Sequence, residues 1–132
     1  MYTMKQACEK TGLSYETLKF YCNQGLVPNV RRDAQNRRIF DDRDIAWINS
    51  LRCLKNCDMG IGEMKGYLAL CLEGEGSIPE RKAILETKRK ALEEERKRIE
   101  GAIAYIDWKQ GFYDDVLSGK IKYFSNLIAV EE

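Results

Sequence analysis

The chain has 132 residues, of which 33% are charged and 44% hydrophobic, and its formal net charge is +1. This length allows one small domain with an extension and only a modest core. No apolar run approaches the roughly 20 residues that span a bilayer, and no apolar segment follows Met1. We therefore expect no membrane span and a cytoplasmic location.

The distribution of charge and the absence of histidine narrow the function. Residues 1–58 carry 10 Lys and Arg against 7 Asp and Glu, whereas residues 59–132 carry 12 against 14. A basic surplus in residues 1–58, followed by a nearly neutral remainder, favours a DNA-binding domain at the N-terminus. The sequence has no histidine, no nucleophile elbow and no glycine-rich phosphate loop, so we expect no enzyme, no metal and no cofactor. Five cysteines, an odd number, argue against a disulfide framework.

Two short helices are predicted at the N-terminus. Thr3 and Gln6 have the spacing of a capping box, which starts the first helix. Gly12 favours a left-handed end to that helix, and Ser14 caps the next one. On a helical wheel Leu18, Tyr21 and Cys22 share one side of the second helix, while Lys19 and Phe20 lie on the outward side. This pattern is typical of a helix-turn-helix recognition helix.

A basic hairpin is predicted after the second helix. Gly25 ends the helix and Pro28 prevents it from restarting. Arg31, Arg32, Arg37 and Arg38 flank the turn-like sequence DAQN, and Phe40 looks exposed. On its own this segment would be a solvated basic loop, but beside the recognition helix it is interpreted as a wing that reaches phosphates.

The remaining helices are predicted from caps and periodicity. Asp41, Asp42 and Asp44 precede an apolar helix that ends near Gly60, and Ile61, Met64, Leu68 and Leu72 indicate another. Residues 73–76, EGEG, mark a domain boundary. Ser77–Glu80 has the spacing of a second capping box. The seam of the long helix that follows is apolar: Leu85, Leu92, Ile99, Ile103 and Ile106. This spacing predicts a coiled coil, or else a single long solvated helix.

The strings TLKFYCNQGLVP and NRRIFDDRDIAWINSLRCLKNCDMGIGEMK resemble the DNA-binding domain of the MerR family of bacterial transcription regulators, over about residues 2–72. The sequence departs from the family pattern at Lys19, Phe20, Cys22 and Asn36–Arg37, where the family usually has Arg, Tyr, Glu and Gly-Tyr. Lys19 lacks the planar guanidinium fork, so base readout is expected to differ at this position.

The resemblance implies an all-α fold with a small β-hairpin wing. Residues 1–74 would form a winged helix-turn-helix DNA-binding domain, 75–110 a long antiparallel coiled-coil dimerisation helix, and 111–132 an effector or packing segment. It also implies a homodimer that binds double-stranded promoter DNA and distorts it for RNA polymerase. The expected DNA-binding residues are Ser14, Tyr15, Thr17, Lys19, Phe20, Tyr21, Arg31, Arg32, Arg37, Arg38 and Phe40.

The effector of such a regulator is left open by the sequence. Cys53, in LRCLKN, resembles the single cysteine of a thiol-based, aldehyde-responsive subgroup of the family, and nearby Arg52 and Lys55 would favour its thiolate. The alternative for this residue is a cysteine that only fills the core. A second possibility is a small apolar or cationic ligand bound by the aromatic residues between Ile106 and Val130. From another class, a coiled-coil adaptor that does not bind DNA is the main rival.

Overall fold

The computed structural model describes residues 1–129. Its elements, in chain order, are β1 (Tyr2–Thr3), α1 (Met4–Thr11), α2 (Tyr15–Asn23), β2 (Arg31–Arg32), β3 (Arg38–Phe40), α3 (Asp42–Asn56), α4 (Ile61–Glu73), a 3₁₀ turn (Glu75–Ser77) and α5 (Ile78–Leu117). The chain divides into two compact units, Met1–Arg89 and Lys90–Glu132. The predicted segment 111–132 thus has its last three residues outside the described part. None of the helices within residues 1–129 contains an apolar stretch that could span a bilayer.

The predicted caps of the first two helices are confirmed. The Gln6 amide donates to the Thr3 hydroxyl at 3.2 Å, and the Thr3 amide donates to the Gln6 side chain at 2.9 Å. Gly12 has φ 72°, the left-handed conformation that glycine adopts at low cost. The Ser14 hydroxyl accepts the Thr17 amide at 3.2 Å. These local bonds fix the tight turn between α1 and α2.

The predicted hairpin wing is confirmed, within a sheet of three strands ordered β1-β3-β2. β2 and β3 are antiparallel, with Arg31 opposite Ile39 and Arg32 opposite Arg38. β1 pairs with the other edge of β3, with Tyr2 opposite Phe40. Strand β1 was not predicted from the sequence, because two residues are too few to show an alternation of apolar and polar side chains.

The core of the first unit lies between α1, α2, α3 and α4, of which α1 and α3 pack against β3. Its fully buried apolar residues include Ala7, Leu18, Leu26, Phe40, Ile48 and Leu51. Trp47 on α3 donates its indole N–H to the Leu26 carbonyl at 2.7 Å. This bond joins α3 to the end of the helix-turn-helix and so helps to position α2.

Helix α3 starts at the acidic run, as predicted, and the structure adds a capping box that was not predicted from the sequence. Asp41 accepts the Asp44 amide at 2.8 Å, and Asp44 accepts the Asp41 amide at 3.0 Å. The hydrogen bond from the Asp44 amide lowers the pKa of Asp41, whereas burial raises the pKa of Asp44. The pKa values of the two carboxyl groups of this motif are therefore shifted in opposite directions from their ordinary values.

Helix α5 begins at Ile78, as predicted, but its cap and its end differ from the prediction. In place of the predicted capping box, the Ser77 hydroxyl contacts the carbonyls of Leu70 and Gly74 and accepts the Arg81 guanidinium at 3.0 Å. The helix runs for 40 residues to Leu117, beyond the predicted end at residue 110. The helix thus continues beyond Ile106, which is the last residue of the predicted apolar seam.

Candidate nucleic-acid interface

The outward face of α2 is built from exposed side chains on a helix whose other face is buried. Tyr15 is 53% exposed and Phe20 is 45% exposed, while Leu18 is fully buried. Lys19 is exposed, and its ammonium lies 6.0 Å from the centre of the Tyr15 ring. The predicted division of the helix into an inner and an outer side is confirmed, and a cation and two rings are presented outward.

The wing turn is held by one carboxylate. Asp33 accepts the backbone amides of Gln35 and Arg37, each at 2.9 Å, and forms an ion pair with the Arg37 guanidinium at 3.2 Å. Bonding from the Arg37 amide lowers the pKa of Asp33, so this carboxylate stays ionised at neutral pH. Asn36 takes the left-handed conformation at φ 62°, which asparagine tolerates better than most residues. The turn is therefore ordered by local bonds.

Arg32 and Arg38 are directly opposite each other on β2 and β3. Like charges directly opposite each other destabilise a strand pair. Such locally unfavourable pairs are common at sites where function requires the charge. Both guanidinium groups bond to neutral oxygens, Arg32 to the Asn36 carbonyl at 2.9 Å and Arg38 to the Asn23 side chain at 2.6 Å. Among residues 1–129, the ion pairs of the wing involve Arg31 and Arg37 instead. The positive charges of Arg32 and Arg38 thus remain uncompensated by a carboxylate.

Residues of the wing and of the recognition helix line one cavity of about 380 Å³. Its walls include Arg32, Arg37 and Arg38 from the wing, Tyr15 from α2 and Lys5 from α1. The bond between Arg38 and Asn23 ties β3 to the last turn of α2. The structure therefore brings the recognition helix and three of the four predicted arginines to one basic surface.

Other predicted DNA-binding residues lie apart from this cavity. Arg31 faces Asp41 at 3.7 Å, because adjacent residues of a strand point to opposite sides. Thr17 and Phe20 line a separate cavity of about 430 Å³ with Lys55 and Met59 near the α3–α4 turn. Ser14 is engaged in capping α2. The predicted cap is therefore confirmed, while the predicted contact of Ser14 with DNA stays a prediction.

Two predicted contacts are corrected by burial. Phe40, interpreted as exposed, is 0% exposed, because β3 directs it into the core opposite Tyr2. Tyr21 is 2% exposed, since it lies on the inner side of α2 with Leu18. Burial raises the pKa of Tyr21, and its hydroxyl has no hydrogen-bond partner among residues 1–129. Neither side chain can reach DNA in this conformation.

Sequence reasoning missed cations contributed by neighbouring elements. Lys5 lines the cavity with the wing arginines, because β1 brings the start of α1 against β3. Lys65 on α4 donates to the Gln24 side chain at 2.9 Å, beside the end of α2. Neither lysine belongs to a local basic run, so only the packing of the elements shows that it lies near α2 or the wing.

Cys53 differs from the other cysteines in exposure. It is exposed, whereas Cys8, Cys22, Cys57 and Cys71 are partly buried. Burial raises the pKa of the Cys8 and Cys22 thiols, which disfavours their thiolates at neutral pH. Cys53 lines a mainly apolar cavity of about 430 Å³ whose walls include Trp47, Leu54, Tyr67, Cys71 and Leu85.

Comparisons with known proteins agree with this geometry. Residues 2–71 match the profile of the MerR HTH family regulatory proteins. An uncharacterized HTH-type transcriptional regulator of Haemophilus influenzae is 35% identical over 112 residues, which are 85% of this chain and 83% of that protein. The HTH-type transcriptional regulator AdhR of Bacillus subtilis is 36% identical over 87 residues, which are 66% of this chain and 62% of AdhR.

Two solved structures share the fold. The crystal structure of HiNmlR, a MerR family regulator lacking the sensor domain and bound to promoter DNA, aligns with a TM-score of 0.74 and 33% identity over 89% of this chain and 93% of its own. A chain from Listeria monocytogenes assigned to the same family aligns with a TM-score of 0.80 and 30% identity, over 91% of each chain. The chain therefore belongs to the MerR family of helix-turn-helix regulators and is a DNA-binding transcription regulator.

Proposed function

We propose that two copies of this regulator bind one promoter through α2 and the wing, and that an effector changes how they distort the DNA for RNA polymerase. The observation that carries the proposal is the cavity shared by Tyr15, Arg32, Arg37 and Arg38. Guanidinium groups bind phosphate oxygens through paired hydrogen bonds, which sets the register of the protein on the duplex. Lys19, which is exposed on α2, would reach base edges in the major groove.

The deformation of DNA is the step that an effector would control. Bending and untwisting a duplex costs energy that depends on its sequence, and additional backbone contacts offset that cost. Two copies place two recognition helices on two half-sites, so the angle between the heads determines the shape of the bound DNA. A regulator of this kind changes transcription by altering the promoter geometry presented to RNA polymerase.

An apolar stripe along α5 supports the homodimer. In the single chain Leu85 is 39% exposed, Ile99 44%, Ile103 52% and Ile106 55%, and Leu92 is half-buried. A 40-residue helix that leaves such a row in water lacks the packing that normally stabilises long helices. Pairing with the same stripe on a second copy would bury it.

The charges of α5 favour an antiparallel arrangement of the two copies. Residues 78–90 carry five Lys and Arg against two Asp and Glu, whereas residues 99–117 carry one Lys against four Asp and Glu. Antiparallel pairing places the basic end of one helix beside the acidic end of the other, while parallel pairing would juxtapose like charges. In this register Leu92 of one copy faces Ile99 of its partner.

Two substitutions test the assignment of DNA contacts. Lys19→Ala should reduce the preference for a duplex selected from random sequence over an unrelated duplex by about tenfold, because a base contact is lost. Arg32→Ala should weaken both complexes equally and lower the slope of log affinity against log salt by about 1.8, because one phosphate contact is lost in each of the two half-sites. Fluorescence anisotropy at several salt concentrations measures both effects.

Arg98→Ala is the matched control, since Arg98 is exposed on α5 and forms only a surface ion pair with Glu95 at 3.6 Å. It removes the same charge as Arg32→Ala and should leave both affinities unchanged. Equal behaviour of Arg32→Ala and Arg98→Ala would contradict the wing assignment.

For the effector, we propose an electrophile captured by Cys53. The exposed thiol and the cavity beside it support this reading. With an α,β-unsaturated aldehyde, the thiolate sulfur bonds to the β-carbon, the carbon–carbon double bond opens, and the α-carbon takes up a proton. The step needs no oxidant, and the saturated aldehyde chain that it attaches to the sulfur would occupy the cavity next to Trp47 and Tyr67.

The same cavity connects Cys53 to the start of the dimerisation helix. Leu85 of α5 lines it. One turn further along α5, Lys88 forms an ion pair with Glu63 at 2.6 Å and donates to the Asp58 carbonyl at 3.0 Å. An adduct on Cys53 would therefore press on the region where α3, α4 and α5 meet. This provides a physical route from the thiol to the angle between the heads.

Acrolein treatment followed by mass spectrometry tests the thiol. We expect one adduct to form first on Cys53, and we expect Cys53→Ser to keep its DNA affinity but lose the transcriptional response to acrolein. Cys22→Ser is the matched control, because burial raises the pKa of the Cys22 thiol, and it should respond normally. A response that persists in Cys53→Ser would exclude this sensor.

A second candidate effector site lies in the second unit. There a cavity of about 430 Å³ is lined by Trp108, Phe112, Tyr113, Tyr123 and Phe124. These are the rings that the sequence analysis considered for a small ligand. The cavity makes a bound small molecule the alternative to an electrophile.

A further inference from the structure

The residues after α5 fold back beside its last turns and form one wall of an open aromatic cavity, in which Trp108 is 61% and Phe124 56% exposed. Gly119 has φ 82°, and the Lys120 amide donates to the Asp115 carbonyl at 2.9 Å, which turns the chain at the helix end. Phe124 then meets Phe112 edge to face, with ring centres 5.1 Å apart. The cavity is therefore bounded by the helix on one side and by the returning segment on the other.

A lysine of the chain sits among these rings. The ammonium of Lys109 lies 5.6 Å from the ring centre of Trp108, 5.4 Å from that of Phe112 and 5.3 Å from that of Tyr113. Its side chain is partly buried and lines the cavity. Among residues 1–129, no carboxylate forms an ion pair with it. The Lys109 ammonium thus already occupies the position above the rings that a cationic ligand would take.

This arrangement determines the charge of the occupant. A second cation would be repelled by the Lys109 ammonium, and a purely apolar occupant would remove water from that ammonium without replacing its hydrogen bonds. An occupant with a carboxylate supplies the missing counter-charge through a charge-assisted hydrogen bond. The cavity volume is within the range of sites for small molecules.

We propose that this cavity binds a small aromatic carboxylate, with its ring against the Trp108 and Phe124 rings and its carboxylate on Lys109. Ser125 and Asn126, which also line the cavity, add hydroxyl and amide donors for the carboxylate oxygens. The proposal refines the second candidate effector named above. It depends neither on Cys53 nor on the residues of the DNA interface.

Calorimetric titration of the full chain with 1-naphthoate tests the site. We expect saturable binding that is at least about tenfold tighter than that of the neutral analogue 1-naphthalenemethanol, because a charge-assisted bond is lost in the analogue. Lys109→Met should abolish this difference, while Lys109→Arg should retain it. Lys97→Met, which removes an exposed lysine of the same helix that pairs with Glu94, should bind as the wild type does.

Three results would overturn the proposal: equal binding of the two naphthalene compounds, unchanged binding by Lys109→Met, or tighter binding of the (1-naphthylmethyl)trimethylammonium cation. Circular dichroism of each variant checks that α5 is intact. A failure to bind DNA would appear in a separate anisotropy titration and would leave these outcomes unaffected.

Discussion

Replacing Leu92 with glutamate is expected to convert the protein into a monomer and to lower its affinity for promoter DNA by at least about 100-fold. The substitution places a carboxylate in the centre of the proposed seam, where it would be buried against Ile99 of the partner without a counter-charge. Two linked heads gain about 10²–10⁴ in affinity over one, and a monomer loses that gain. Sedimentation velocity and anisotropy titration measure the two effects.

Thr87→Glu is the matched control for this experiment. Thr87 is exposed on the same helix, off the apolar stripe, where its hydroxyl bonds only to the Ala83 carbonyl at 3.1 Å. The control should remain dimeric and bind DNA normally. A dimeric Leu92→Glu variant with normal DNA affinity would show that the stripe is not the interface.

Phe40→Ala is expected to lower the free energy of unfolding by about 3–5 kcal/mol, as large-to-small substitutions of buried aromatic residues do. Phe40 is fully buried at the junction of β3 with the core. A loss of this size is a large part of the stability of a small domain. Urea unfolding followed by circular dichroism measures the change.

Phe20→Ala provides the contrast, because Phe20 is 45% exposed on the outward face of α2. It should change stability by less than about 1 kcal/mol, as surface substitutions do, and weaken DNA binding instead. A Phe40→Ala variant that keeps its stability but loses DNA affinity would restore the original interpretation of Phe40 as a contact residue.

The helix starts could be predicted from the sequence because their signals are local. Thr3 and Ser14 cap helices through bonds to residues three positions later, as their spacing predicted. The same spacing at Ser77 did not give a capping box, because the Ser77 hydroxyl contacts the Leu70 and Gly74 carbonyls instead. Gly12 follows its local signal, since its left-handed φ is required by the turn itself. The helix-turn-helix therefore followed from neighbouring residues.

The direction of side chains in the wing could not be predicted in the same way. β3 has three residues, and a strand this short gives no alternation from which to decide that Phe40 points inward. The pairing of β1 with β3 decides it, and that pairing joins residues nearly 40 positions apart. Tyr21 illustrates a different problem, because the helical wheel placed it inward while the family resemblance suggested a role in DNA binding.

Which charged residues form the interface also depends on contacts between elements that are far apart in the sequence. Arg31 and Arg32 are equivalent in a count of charges, but the strand directs one toward Asp41 and the other into the shared cavity. Lys5 joins that cavity only because α1 follows a strand of the same sheet. The sequence could predict a basic surface, but the selection of its members required the fold.

The salt dependence of binding to a selected duplex tests the central claim most directly, which is that the wing arginines and the outward face of α2 form one phosphate-binding surface. If Arg32, Arg37 and Arg38 of two copies neutralise six phosphates, log affinity should fall with log salt with a slope of about −5. A slope near zero, which means that affinity does not depend on salt, would contradict the account.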